Sequence, residues 1–478
     1  MNKSMIRYLL SKLLLIEAVL LLVPVAIAVY YRESSQVFTA LFSTIGILVL
    51  LGGSGILQKP KNQRIYAKEG VLIVALCWIL WSFFGGLPFV FSGQIPSVID
   101  AFFEISSGFT TTGATILNDV SVLSRSLLFW RSFTHLIGGM GVLVFALAIM
   151  DNAKNSHLEV MKAEVPGPVF GKVVSKLKNT AQILYLLYLA LFSLFVIIYY
   201  LAGMPLYDSF VIAMGTAGTG GFTVYNDGIA HYGSSLITYL VSIGVLVFGV
   251  NFNLYYLMLR RVKAFFGDEE LRAYLVIVII STGLISLNTL YLYPGFSKSF
   301  EMAFFQVSNI ITTTGFGYGD ITNWPLFSQF ILLFLMVIGG SAGSTAGGLK
   351  VIRGLILSKI AKNQILSILS PHRVLTLHVN KTVIDKDTQH KILKYFVIYA
   401  MILLALIFIV SLDSNDFLVV TSAVFSCFNN IGPILGTTSS FAIFSPISKI
   451  LLSFAMIAGR LEIYPILLLF MKRTWSKR

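Results

Sequence analysis

Thr312-Thr313-Thr314-Gly315-Phe316-Gly317-Tyr318-Gly319-Asp320 is the stretch on which the fold turns. It follows an apolar run at 299–311 that is too short to cross a bilayer. Three other stretches end a half-length apolar run in the same way. They are Ser107-Gly108-Phe109-Thr110-Thr111-Thr112-Gly113-Ala114, Thr216-Ala217-Gly218-Thr219-Gly220-Gly221-Phe222 and Asn429-Asn430-Ile431-Gly432-Pro433. Their central glycines (Gly113, Gly220, Gly315 and Gly432) are 107, 95 and 117 residues apart. One supersecondary unit therefore occurs four times, which is what a single chain needs to surround an axis.

Composition sets the solvent. The chain has 478 residues, is 56% hydrophobic and only 12% charged, with a mean hydropathy of +0.84. These values exclude a soluble globular protein and point to a polytopic membrane protein. Cys77 and Cys427 both lie in apolar stretches, and two such residues make neither a disulfide framework nor a thiolate metal site.

The net charge of +14 does not point to nucleic acid, because of how it is distributed. Basic residues fill alternate loops: Lys59, Lys61, Arg64 and Lys68, then Lys154, Lys162, Lys172, Lys176 and Lys178, then Arg260, Arg261, Lys263 and Arg272. The segment from Lys350 to Lys394 and the tail Lys472, Arg473, Lys477 and Arg478 continue the series. The loops between them hold the repeats and, apart from Arg32 and Lys298, almost no basic residues. This is the positive-inside pattern, which places the basic loops and both termini in the cytoplasm and lets the motifs enter from outside. Lys3, Arg7 and the run ending near Ala26-Ile27-Ala28 resemble a signal peptide, but the run is long enough to span and is expected to be retained as a helix.

Ten spanning segments are expected, at 8–30, 37–57, 70–92, 125–150, 180–203, 234–260, 272–294, 325–360, 391–411 and 446–471. Shorter pieces at 98–110, 206–217, 299–311 and 416–428 each end at a repeat motif. A helix of about 12 residues is about 18 Å long, so each must re-enter. Non-helical backbone at membrane depth survives only inside protein or along a water-filled cavity. The expected fold is thus an all-α polytopic membrane protein with four pseudo-symmetric helix–pore-loop–helix repeats around one pore. The accessory helix pair covers 1–60 and the repeats 61–155, 156–263, 264–365 and 366–478, the second and fourth each beginning with a cytoplasmic segment. Asp100, Asp208, Glu301 and Asp416 recur near the outer ends of the pore helices. They read equally as a cation-gathering vestibule or as N-terminal caps.

Dehydrating a potassium ion in a membrane needs a dense set of fixed oxygen dipoles. Backbone carbonyls supply these without net charge, and glycine permits the backbone angles that aim them inward. The candidate triplets are Thr111-Thr112-Gly113, Gly218-Thr219-Gly220, Thr313-Thr314-Gly315 and Asn430-Ile431-Gly432. Each is weak by itself; four at similar spacing are strong together.

Thr-Thr-Gly-Phe-Gly-Tyr-Gly-Asp at 313–320 resembles the filter loop of tetrameric potassium channels. The whole arrangement resembles the Trk, Ktr and HKT potassium transporter superfamily. The two extra N-terminal helices and Asn-Asn-Ile-Gly-Pro at 429–433 are closest to the bacterial TrkH branch. The sodium-preferring HKT branch typically has serine at the first filter glycine, so Gly113 argues for potassium. The resemblance implies potassium uptake, with rubidium as a substitute, across the cytoplasmic membrane of a bacterium. It further implies a homodimer and a cytoplasmic TrkA-type nucleotide-binding ring as partner, with no bound cofactor and no enzymatic activity. A sodium-coupled or sodium-permeable transporter of the Ktr/HKT kind is the alternative. A polytopic membrane enzyme would call for clustered Asp, His or Glu, which the sequence lacks.

Two features lie where a gate would. The segment 325–360 is much longer than a span requires. Its middle reads Gly339-Gly340-Ser341-Ala342-Gly343-Ser344-Thr345-Ala346-Gly347-Gly348-Leu349-Lys350. This is either a broken helix crossing the pore, as the TrkH resemblance implies, or close helix packing, since Gly339, Gly343 and Gly347 keep small-xxx-small spacing. Arg460 falls deep within the last apolar segment, where a lipid-facing arginine is costly. It either obstructs the pore, as the resemblance implies, or pairs with another helix. His135 reads as a packed residue, and His372, His378 and His390 have no metal-ligand spacing. The run before Lys350 lacks the Gly-Lys-Ser/Thr ending of a phosphate loop.

Overall fold

The computed structural model describes residues 1–62, 66–141, 177–258, 262–319, 321, 323–370, 375–380, 382–436 and 440–475. Arg64, Lys154, Lys162, Lys172, Lys176, Arg260, Arg261, His372, Lys477, Arg478, Asp320 and the end of the fourth expected span lie outside the described residues.

Six helices among the described residues are long and apolar enough to cross a bilayer: Lys3–Tyr30, Ser35–Ile56, Lys68–Phe91, Ala181–Leu201, Glu269–Asn288 and Lys386–Val410. Their outward faces carry large apolar side chains such as Leu186, Ile279, Leu287, Met401 and Phe408. A continuous apolar surface of this kind suits lipid rather than water. The first helix bears closely on Ser35–Ile56: a β-carbon on Gly55 would lie 1.8 Å from Ser11 Oγ. Glycine there lets the two backbones approach.

The four half-length runs are helices Val98–Phe109, Leu206–Gly218, Phe296–Ile311 and Phe417–Asn429. Each is followed by an extended turn and an inner helix: Arg125–Gly139, Ser235–Phe248, Leu326–Ile338 and Pro446–Arg460, respectively. Pore helix 1 packs on the inner helix of repeat 4, and pore helices 2, 3 and 4 pack on the inner helices of repeats 1, 2 and 3. This cyclic packing closes the ring.

The expected single spans at 234–260 and 446–471 are both interrupted, as is 325–360. In repeat 2 the chain bends by 90° between Ser235–Phe248 and Phe252–Met258. Asn251 Oδ1 accepts from Asn253 N at 3.0 Å, while Phe252 N donates to Gly343 O at 3.0 Å. The new helix is thus started by a local cap and held by a tertiary bond. In repeat 4, Glu462 and Ile463 take φ of 59° and 68° before helix Tyr464–Phe470 begins. The break coincides with an ion pair between Glu462 and Arg353 of repeat 3. Inner helices that stop halfway leave the space beneath the pore helices to loops.

Candidate functional site: a four-part backbone ring and the loop beneath it

Each pore helix ends with the same hydrogen-bonded wrap. Thr112 N donates to Ser107 O at 2.9 Å, Gly220 N to Gly215 O at 2.8 Å, Thr314 N to Asn309 O at 2.8 Å and Ile431 N to Ser426 O at 2.8 Å. The residue before each donor lies in the left-handed region: Thr111 at φ 56°, Thr219 at 56°, Thr313 at 54° and Asn430 at 59°. This is the Schellman ending of a helix, normally built with glycine. A β-branched threonine there costs about 1–3 kcal/mol, a strain that accumulates at functional sites.

The register given by these bonds aligns Thr111-Thr112-Gly113 with Thr313-Thr314-Gly315 and Asn430-Ile431-Gly432. In repeat 2 it selects Thr219-Gly220-Gly221, one residue later than the expected Gly218-Thr219-Gly220. Gly218 is the last residue of pore helix 2. With glycine on both sides of Thr219, the sequence offers two frames, and only the wrap distinguishes them.

In this register the four segments meet head to side. A β-carbon on Gly113 would lie 2.0 Å from Gly220 O, one on Gly221 2.0 Å from Thr314 O and one on Gly315 1.9 Å from Ile431 O. One on Gly432 would lie 2.7 Å from Thr112 O. Each repeat therefore sets its glycine against the middle carbonyl of the next, and the fourth contact closes on the first. The last junction is looser, so the ring is only approximately fourfold. Each pore helix also directs its C-terminal, partially negative end towards this ring, which favours a cation there.

The rim above the ring is tied across the repeats. Ile229 N donates to Gly317 O at 2.9 Å and Phe441 N to Thr115 O at 2.9 Å. Asn226 accepts from Val120 N at 2.8 Å and donates to Asp119 at 2.8 Å. The Asn226 amide, helped by Ser121 N–H, holds the Asp119 carboxyl below the usual carboxylate range. The four recurring acids differ in use. Asp416 caps its helix through Leu418 N and Val419 N, and Asp100 bonds Lys449 at 2.7 Å. Asp208 accepts from Tyr232 at 3.0 Å, and Glu301 accepts from Lys298, Ser235 and Tyr318.

Beneath the ring, helix Leu326–Ile338 stops at Gly339 (φ 71°) and the chain becomes helical again only at Val351. Gly339, Gly343 and Gly347 therefore share no helix face. The intervening loop is buried for most of its length and bonded on every side. Gly347 N donates to the hydroxyl of Thr313 in the ring, Oγ1, at 2.6 Å, and a β-carbon on Gly347 would lie 2.2 Å from Asn429 O. Ser341 N donates to Gly249 O at 3.0 Å, and Thr345 Oγ1 to Phe248 O at 3.2 Å. Gly340 and Gly348 lie at the loop's two ends, with Val351 N donating to Gly340 O at 3.0 Å. Ser344 Oγ turns back to Ser341 O at 2.6 Å, and Lys350 Nζ donates to Ala346 O.

Arg460 is the last residue of its helix rather than a mid-helix residue. Its guanidinium donates to Thr345 O in the loop and to Gly138 O and Gly139 O at the end of inner helix 1, each at 2.6 Å. It thus bonds backbone carbonyls of two other repeats. Two partners of the loop were not legible in the sequence. Glu270 Oε1 accepts from Ala342 N at 2.7 Å and Ile352 N at 3.2 Å, joining the two arms of the loop. Arg353 donates to Leu349 O in the loop at 3.3 Å and pairs with Glu462, its guanidinium carbon 4.1 Å from the Tyr395 ring centroid. The only advance signal was an acidic residue next to an apolar span, which topology alone also explains. His135 is packed, its Nδ1 2.8 Å from Gly108 O and its ring 4.2 Å from that of Phe222.

Known proteins share this arrangement along the whole chain. The model of a family described as "TrkH: Cation transport protein" matches residues 33–477. The Trk system potassium uptake protein TrkG of Escherichia coli K12 is 32% identical over 464 residues, covering 95% of each chain. The Trk system potassium uptake protein TrkH of Salmonella typhimurium is 33% identical over 472 residues, covering 96% of each. The crystal structure of the potassium transporter TrkH from Vibrio parahaemolyticus superposes with a TM-score of 0.90 at 30% identity, covering 100% of both chains. With four re-entrant units closed into one ring and a match from end to end, the chain belongs to the TrkH family of cation transport proteins, which are transporters and not enzymes.

Proposed function

We propose that the protein takes up potassium across the cytoplasmic membrane of a bacterium, with its N- and C-termini in the cytoplasm. The observation that carries this reading is the closed ring of four glycine–carbonyl junctions at Gly113, Gly221, Gly315 and Gly432. Potassium enters from outside, exchanges water for the carbonyls of Thr111-Thr112-Gly113, Thr219-Gly220-Gly221, Thr313-Thr314-Gly315 and Asn430-Ile431-Gly432, and leaves below. The relatives named as potassium uptake proteins support the choice of ion. A membrane potential contributes about 2.3 kcal/mol per charge per 100 mV, so inward movement needs no attached engine.

Loop 339–350 and Arg460 form the closed gate in this reading. The loop is secured to the filter through Thr313, and Arg460 holds it to the first repeat. Opening requires both to move. The functional unit is a homodimer on which a cytoplasmic TrkA-type nucleotide-binding ring acts. Uptake of ⁸⁶Rb⁺ into proteoliposomes, with and without that ring, tests the proposal. Concentrative uptake driven by an inside-negative potential is expected; no uptake in either condition overturns it.

A further inference from the structure

Three of the four filter segments are braced from their own pore helix, three residues beyond the filter glycine. Glu104 Oε2 accepts from Ile116 N at 2.9 Å. Gln306 Nε2 donates to Tyr318 O at 3.0 Å. Ser422 Oγ donates to Leu435 O at 3.0 Å and accepts from Leu435 N at 2.9 Å. In repeat 2 the equivalent residue is Val224, and the position that holds Glu104 and Gln306 in pore helices 1 and 3 is apolar Ile212.

Support for repeat 2 comes from repeat 1. The Arg131 guanidinium carbon lies 3.3 Å from the centroid of the Phe222 ring, the residue directly after Gly221. Arg131 Nε donates to Glu104 Oε1 at 2.5 Å, and the two side chains are only 2% and 0% exposed. Glu104 also accepts from Thr115 Oγ1 at 2.9 and 3.1 Å. One buried ion pair thus holds both segments that meet at the Gly113–Gly220 junction. A buried pair is seldom more stabilising than an apolar filling of the same volume, so stability alone is a poor reason for it.

We propose that Glu104 and Arg131 form a positioning clamp that fixes the filter wall between repeats 1 and 2 and thereby sets the discrimination between potassium and sodium. The inference rests on the reading of the ring as the ion path. The pair has no net charge and bonds no residue of the two triplets, so it acts through Thr115, Ile116 and Phe222. A wall held at potassium spacing leaves the smaller sodium ion poorly coordinated; a wall free to yield closes around it.

The test is ⁸⁶Rb⁺ uptake into proteoliposomes in competition with sodium, on full-length protein. Glu104→Gln/Arg131→Gln removes both charges together, so no lone buried charge is left to unfold the protein. Thr115→Val, nearly isosteric, removes the hydroxyl bonds to Glu104 together with the one that Leu117 N donates to Thr115 Oγ1, and serves if the double variant does not fold. Leu41→Ala, a cavity in the accessory helices, controls for lost stability. We expect rubidium-over-sodium discrimination to fall about tenfold in the double variant, which corresponds to about 1.4 kcal/mol. Thr115→Val should show a smaller fall in the same direction, and Leu41→Ala a lower melting temperature at wild-type discrimination. Arg131→Lys, which keeps the charge but not the planar contact with Phe222, should recover part of the loss. Wild-type discrimination in whichever of the double variant and Thr115→Val folds overturns the clamp. Absence of uptake by the wild-type protein would instead overturn the ion-path reading.

Discussion

Replacing Arg460 with alanine removes a side chain that joins the loop of repeat 3 to the inner helix of repeat 1. Three bonds at 2.6 Å are lost, to Thr345 O, Gly138 O and Gly139 O. Hydrogen bonds from a charged donor contribute about 1.5–3 kcal/mol each, so the lower figure gives about 4.5 kcal/mol for the three. Water entering the vacated space recovers part of this. If about 3 kcal/mol of the remainder is specific to the closed arrangement, the open-to-closed ratio rises roughly 100-fold. The assay is the initial rate of ⁸⁶Rb⁺ uptake into proteoliposomes, normalised to reconstituted protein. Arg460→Ala should exceed wild type by at least tenfold, and Arg460→Lys, a point charge without the planar fork, should fall between them. A static tie between repeats would give a different outcome: a lower melting temperature with an unchanged or reduced rate. That result, in protein that elutes as wild type, would refute the gate assignment.

Gly113→Ser should weaken discrimination against sodium, because a β-carbon would meet Gly220 O at 2.0 Å at a φ of 80°; competition uptake reads it, and unchanged selectivity would remove Gly113 from the filter. Glu270→Leu leaves Ala342 N and Ile352 N without their acceptor, a loss of about 1–3 kcal/mol for each buried donor. It should raise basal rubidium flux, with Glu270→Gln closer to wild type because its carbonyl oxygen still accepts. Gly347→Ala sets a methyl group against Asn429 O at 2.2 Å. It should displace the loop and raise flux while leaving the order of ion preference unchanged, and a wild-type rate would show that the loop does not obstruct the path.

The architecture was largely legible in the sequence because it follows from local chemistry and the bilayer. A helix of half the membrane thickness that ends in a Gly-Thr turn must re-enter wherever it occurs. Membership of a cation transport family followed from the same motifs. The second triplet was displaced by one residue because Gly218, Gly220 and Gly221 flank Thr219 on both sides. Hydropathy sees only apolar length, so it joined Ser235–Phe248 to Phe252–Met258 and Pro446–Arg460 to Tyr464–Phe470. The first break carries a local cap at Asn251, but Gly343 and Arg353, which bond the two breaks, are distant partners with no local signature.

The sequence by itself determined the membrane class and the fourfold unit with its Gly-rich turns, since each arises from neighbours in the chain. Only the tertiary structure decided the frame of the ring, the pairing of Glu104 with Arg131, and the carbonyls that Arg460 engages. Arg460 reaches Thr345 across 115 residues and Gly138 across 322. A hydrogen bond between such positions exists only when folding has brought both backbones to one place, and no periodicity in the chain encodes that meeting.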